Sequence, residues 1–199
     1  MRPYTQTTEY TTAACSLMII MNHLDEKFSL TRANEFDIWR ESVNLPTRAP
    51  SIFGLARYAK EHGLTPTVVV ESLEYDYPDY RFKRYKKSDV DLAQFASKQH
   101  LNAAEEADVP INERAISFEE IDGLIKDGHT ILIRLNEGLF RGVGSTSKYV
   151  VLYGYEEGEY LLADPILDDP FITIDEDTLR ESFDTLATKK KRDHKMIVF

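Results

Sequence analysis

Between positions 12 and 25 the chain is apolar on nearly every side of a helical wheel: Ala13, Ala14, Cys15, Leu17, Met18, Ile19, Ile20, Met21 and Leu24. A helix without a polar face belongs in a core, so the pattern predicts a buried central helix. Thr11 or Thr12 is placed to cap its start through a side-chain oxygen. A second helix is expected after Ser29 or Thr31, with Phe36, Trp39 and Val43 on one side, before Pro46 and Pro50 interrupt the chain. A third, over 51–62, carries Ile52, Leu55 and Ala59 at helical spacing and ends at Gly63. The β-branched run at 65–72 predicts a strand. Residues 71–87 are charged and aromatic without a clean period, which reads as an irregular loop or a substrate-facing excursion. Helices are then expected over 88–101, capped by Ser88, and over 117–128, where Ser117 and Glu120 suit a capping box and Gly128 a stop. From 129 the period shortens. Stretches 129–136, 147–156, 159–165 and 170–175 read as strands, 175–186 as a late helix and 194–199 as a closing strand. Helices first and an antiparallel sheet afterwards is an α+β arrangement.

The chain has 199 residues, 42% of them hydrophobic, and neither a repeat nor a flexible linker. A single domain over 1–199 is expected. The formal charge of -10 would repel a phosphate backbone, which argues against nucleic acid as a partner. No apolar run approaches the roughly 20 residues of a membrane helix, and the polar start lacks a signal-peptide core, so no membrane association and a cytoplasmic location are expected. One cysteine excludes an internal disulfide and a cysteine-rich zinc cluster, and the five histidines are scattered. No metal and no cofactor are expected.

A nucleophile is best placed at the start of a buried helix, where unpaired N–H groups and the dipole stabilise negative charge. It needs an amide to complete an oxyanion hole, a base on a facing strand, and a group to orient that base. The segment "QTTEYTTAACSLMII" supplies Gln6 six residues before Thr12, which opens the central helix. Much later, "KYVVLYGYEEGEYLLADP" begins at Lys148 and ends in Asp164-Pro165. These segments, with "FDIWRES" and "FGLARYAKEHGL", resemble the papain-like cysteine peptidase superfamily. They are most similar to the bacteriocin-processing (double-glycine leader) peptidases and their stand-alone relatives. Those relatives read Gln-Thr-x-Glu-aromatic-Thr-Cys-Gly-Pro-Ala near the start and His-aromatic-Val-Val later, followed by Asp-Pro. The phytochelatin synthases share a similar opening. The resemblance covers nearly the whole chain and implies a papain-like fold, with the central helix packed on a C-terminal antiparallel sheet.

The family cysteine falls on Thr12, its Gly-Pro on Ala13-Ala14 and its histidine on Lys148, while the oxyanion-type Gln6 and the orienting Asp164 remain. Thr12 and Lys148 are then either a Thr–Lys catalytic pair or a helix-capping threonine and a Lys–Asp salt bridge left from an old active site. An adjacent Asp164 favours the ammonium, which cannot accept a proton. Cys15 is either a displaced thiol nucleophile or a core residue. Gln6 is either an oxyanion donor or a brace. The Gly-rich stretch 136–149 resembles a mobile loop bordering a cleft, and the run 188–193 is either an anion site or a solvated charge cluster. The leading expectation is a non-proteolytic pseudoenzyme that binds a peptide or amide-bearing small molecule. The competitors are an active amide hydrolase or acyl transferase using Thr12 with Lys148, or Cys15, and an interaction subunit whose 75–85 stretch meets a protein partner or a second copy.

Overall fold

The computed structural model describes residues 1–75 and 85–199. Helix α1 (Thr12–Leu24) is followed by α2 (Arg32–Ser42), two short strands β1 (Val43–Asn44) and β2 (Ala49–Pro50), α3 (Ile52–Glu61) and β3 (Thr67–Val70). Next come α4 (Lys87–Glu106), β4 (Ile111–Glu113), α5 (Phe118–Lys126) and β5 (Ile131–Asn136). The chain continues through β6 (Ser147–Glu156), β7 (Glu159–Ala163), β8 (Phe171–Ile174), α6 (Glu176–Thr188) and β9 (Lys195–Val198). β1 and β2 pair with each other. The other seven strands form one sheet in the order β4-β3-β9-β5-β6-β7-β8. The strands β5 to β9 are antiparallel to their neighbours, as the helices-then-sheet pattern anticipates. The sheet reaches further than that pattern implies, because β9 lies beside β3, and β3 pairs in parallel with β4.

Both faces of the sheet are covered. Leu132, Val151 and Ile197 point into a core shared with α1 and α3, where Leu17, Met18, Phe53 and Leu55 are buried. Their immediate neighbours Ile131, Ile133, Val150, Leu152 and Met196 point the other way, against Ile121, Ile125, Leu179 and Phe183 of α5 and α6. A strand buried on both faces has no polar alternation, which is why 131–136 reads as a nearly continuous apolar run. Helix α1 is buried from Thr12 through Asn22 and packs against β6, α2 and α3. Each fully buried aliphatic side chain contributes about 1.5–3 kcal/mol, so this helix anchors the fold. Gly54 permits the close approach of α3 to the end of α2, since a Cβ there would lie 2.8 Å from the Ser42 Cα.

Three capping expectations are corrected. Thr11 stands at the N-cap of α1, but its hydroxyl makes no cap bond and turns instead to Thr8 and Glu35. α4 begins before Ser88, with Asp89 accepting a hydrogen bond from the Lys86 N–H (2.9 Å). Ser117 does accept from the Glu120 N–H (3.1 Å), but the Glu120 carboxylate pairs with Arg114 rather than completing a box. The Gly-rich connection from β5 to β6 is hydrogen-bonded across its width, Glu137 N–H to Thr146 C=O (3.0 Å) and Val143 N–H to Gly138 C=O (3.0 Å). A Cβ on Gly138 would meet the Gly144 carbonyl oxygen, so this turn requires glycine. Of the charged, aromatic stretch expected to form a loop or a partner contact, residues 76–84 lie outside the described residues. Its flanks Tyr75 and Tyr85 both bond Thr47, at 2.8 and 3.0 Å.

Candidate functional site

The Ser16 hydroxyl donates to the Tyr149 carbonyl (3.1 Å) and fixes α1 against β6. One turn earlier on the helix stands Thr12, one residue earlier on the strand stands Lys148, and the two side chains meet. Lys148 Nζ donates to Thr12 Oγ1 (3.4 Å, at the long limit of a hydrogen bond) and to the Glu9 carbonyl (3.1 Å). Thr12 is 3% exposed, so its hydroxyl is nearly withdrawn from bulk water.

Gln6 and Asp164 come together through the backbone. The Gln6 N–H donates to the Pro165 carbonyl (2.8 Å), tying the N-terminal segment to the turn after β7. The Gln6 Oε1 is buried without a hydrogen-bond partner. Asp164 is fully buried, and its Oδ1 accepts from the Ile166 N–H (3.0 Å), so the carboxylate is spent on its own turn. The Oδ2 is buried and unpartnered. Burial pushes the Asp164 carboxyl above the usual carboxylate range, against the Ile166 N–H and the charges of Arg141 and Lys148. Lys148 therefore acts on Asp164 through space rather than through a hydrogen bond.

The sequence reading did not single out Glu137, a second fully buried carboxylate in this cluster. It pairs with Arg141 at 3.3 Å, and burial and then Asp164 push its carboxyl up, against Arg141 and Lys148. The i,i+4 spacing of Glu137 and Arg141 within the Gly-rich stretch was the available signal.

Cys15 is fully buried. Burial, then the charge of Glu35, pushes its thiol far above the ordinary cysteine range, so it lacks both the access and the thiolate of a nucleophile. Glu35, also passed over in the sequence, is fully buried and organises the whole N-terminal approach to the site. It accepts from the Tyr4 hydroxyl (2.9 Å), the Thr7 N–H (2.9 Å), the Thr7 hydroxyl (2.9 Å) and the Thr11 hydroxyl. Burial alone would raise its pKa. The bonds from Thr11, Thr7 and Tyr4 outweigh that and hold the carboxylate below its usual range.

Thr12 and Lys148 lie in the wall of a groove of about 370 Å³, which extends past Tyr10, Asn44, Ser51 and Tyr149 to Arg134 and Lys195. Cys15, Gln6 and Asp164 are not among its lining residues. The start of α1 bears no side-chain cap, and Thr12 and Ala13 present its positive dipole end to this space. The arrangement can polarise a carbonyl oxygen and hold an amide. It lacks an imidazole at position 148. Among the described residues, no group of three or more His, Cys, Asp or Glu is arranged to hold a metal ion. No helix among them is long and apolar enough to cross a membrane.

A family model described as "Peptidase_C39 like family" matches residues 1–197. A search of curated proteins gave no match.

Proposed function

The chain belongs to the Peptidase_C39-like family, a peptidase-like protein whose α+β architecture fits the papain-like fold, and from that premise we propose that it binds a peptide or amide-bearing ligand in the Thr12–Lys148 groove without cleaving it. The observation that carries this reading is the bond from Lys148 Nζ to Thr12 Oγ1. At the position that would extract the hydroxyl proton stands a side chain that donates to that oxygen. An ammonium has three donors and no acceptor. The Glu9 carbonyl, which can only accept, occupies another of its donors. The buried carboxylates Glu137 and Asp164 attract its charged form. A threonine hydroxyl at its ordinary pKa needs an efficient base, and this environment opposes one. The kinship with bacteriocin-processing peptidases belongs to the same proposal, with the substrate-holding part of that activity kept and the bond-breaking part lost.

The same contact supports a second reading, in which a deprotonated Lys148 activates Thr12 for acyl transfer, as in Ser–Lys pairs. One experiment separates the two. The protein is incubated with an acylating peptide probe and weighed intact. No adduct, with peptide binding retained in Thr12→Ala, is the expected outcome. An adduct of one acyl group, abolished by Thr12→Ala and by Lys148→Met, would overturn the binding-only reading.

A further inference from the structure

The β1–β2 ribbon and the head of α3 supply a part of the groove wall that the Thr12–Lys148 contact does not use. Asn44 and Ser51 line the groove there, at 1% and 3% exposure. Among the described residues, the Asn44 Oδ1 and the Ser51 Oγ have no hydrogen-bond partner, whereas nearly all buried polar atoms of folded proteins have one. Groups desolvated in this way oppose folding unless something else pairs with them.

Local structure does not account for either group. Ser51 stands at the N-cap of α3, where a serine hydroxyl ordinarily accepts an N–H of the first turn, yet it makes no such bond. The hydroxyls around it do have structural employment. Thr47 donates to the Asn44 carbonyl (2.8 Å) and meets the Tyr75 hydroxyl (2.8 Å). Ser42, across the ribbon from Ser51, donates to the Ile38 carbonyl (2.7 Å).

The ribbon sets the two unpaired groups side by side. Asn44 faces Ala49 in register, and the Ser51 N–H donates to the Ser42 carbonyl (2.6 Å), so the pairing runs on to Ser51. Alternation then puts Asn44 and Ser51 on one face as diagonal neighbours, about 7–8 Å apart along the ribbon. An acceptor and a hydroxyl on one face call for a ligand with a donor and an acceptor along one edge. A trans peptide unit carries its N–H and C=O on opposite edges, whereas a primary carboxamide carries them on the same edge. A residue of extended main chain also presents both, but it would have to bring its flanking residues down to groups nearly withdrawn from the surface. A terminal side-chain amide enters alone, and its methylenes suit Pro50, Ile52 and Phe53, which line the same groove.

We propose that Asn44 and Ser51 form a subsite for a primary carboxamide, that of a glutamine side chain in a bound peptide. Its N–H donates to the Asn44 Oδ1 and its carbonyl accepts from the Ser51 hydroxyl. The assignment rests on the reading of the groove as a peptide-binding site and adds the side chain it selects. An apolar side chain of the same length leaves both buried groups unpaired, which is the source of the selectivity.

The test uses three end-capped, fluorescein-labelled glycine–serine octapeptides that differ at one central residue, titrated by anisotropy against the full chain. That residue is glutamine, methionine or N,N-dimethylglutamine, which keeps the carbonyl and lacks the N–H donors. All three side chains are neutral, so the charged residues of the groove act on them alike. The glutamine peptide is expected to bind at least about 10-fold more tightly than the other two, the worth of a hydrogen bond made by a group otherwise left buried and unpaired. Ser51→Ala and Asn44→Leu are each expected to reduce glutamine binding to the methionine level. Ser51→Ala should do so without lowering the urea midpoint, because its hydroxyl makes neither a cap bond nor any other bond in the unliganded fold. Equal binding of the three peptides to the wild type would overturn the carboxamide assignment and leave the peptide-binding reading standing. A glutamine preference that survives either substitution would place the amide elsewhere and overturn it as well. A urea midpoint that falls in Ser51→Ala in step with the lost preference would assign the hydroxyl to the fold, with the same consequence. Failure of all three peptides to bind would remove the peptide-binding reading, and the carboxamide subsite with it.

Discussion

Glu35 and Asp164 are both completely buried carboxylates, one beneath the segment that leads into α1 and the other behind the Lys148 end of the groove. They have opposite chemistry. Glu35 receives four donors from three residues of one short segment, and its carboxyl is depressed despite its burial. Asp164 receives one N–H from its own turn, leaves Oδ2 unpartnered, and its carboxyl is raised. The first is a saturated structural hub. The second holds a cost that only a ligand, a proton or an unmet neighbour would relieve. Burial by itself therefore says little about a charged residue's role, and the number of its satisfied lone pairs says much more.

The widest separation is expected from matched carboxylate-to-amide exchanges. Glu35→Gln should cost about 2–4 kcal/mol, because its new NH2 confronts donors in a dry site. Asp164→Asn should stay within about 1 kcal/mol of the wild type. Urea midpoints at constant slope measure both, and equal costs would dissolve the distinction. A smaller effect is expected in the pH profile. As pH falls from 7, Asp164 and Glu137, raised in the native state, take up protons before the unfolded chain does. Their contribution to stability therefore rises until the unfolded carboxylates protonate near about 4. Glu35 runs the other way. Its stabilisation is complete above the ordinary carboxylate value and disappears as pH falls through its depressed native value. Asp164→Asn should accordingly flatten the profile above about pH 4, and Glu35→Gln should soften the collapse below it. The smallest effect concerns Cys15, whose thiol is held up by burial and then by the Glu35 charge. Native-state labelling by a disulfide reagent at pH 8 should be negligible, and Glu35→Gln should raise its rate modestly. Rapid labelling in the wild type would contradict the burial of this thiol.

What the sequence revealed and what it hid follow physical lines. The all-round apolar helix at 12–25 and the strands of the second half were readable because burial on every side leaves only apolar residues. β1, β2 and β4 are two or three residues long, too short for any period to register. Thr12 and Lys148 could be paired because the family resemblance lays the cysteine position on the head of the buried helix and the histidine position on the start of the 147–156 strand. Glu35 could not be found, since it stands among Arg32, Asn34 and Asp37 on a helix whose polar face looks solvated. Arg134 did leave a trace, whereas Lys195 closes the polar run 188–195 and left none. Arg134 interrupts the otherwise apolar run 131–135, and a cation inside a buried strand needs a partner that only the tertiary structure supplies.

Strand β9 lies between β3 and β5, which do not bond to each other. β9, which follows β3 to β8 along the chain, is therefore the seam that joins β4-β3 to the β5–β8 strands. On the ribosome, β3 with β4 and the β5–β8 meander must wait as two unjoined pieces with facing open edges until β9 emerges. Closure of this sheet is then a zippering event that waits on β9, and the two open edges are exposed to misassembly until it joins them.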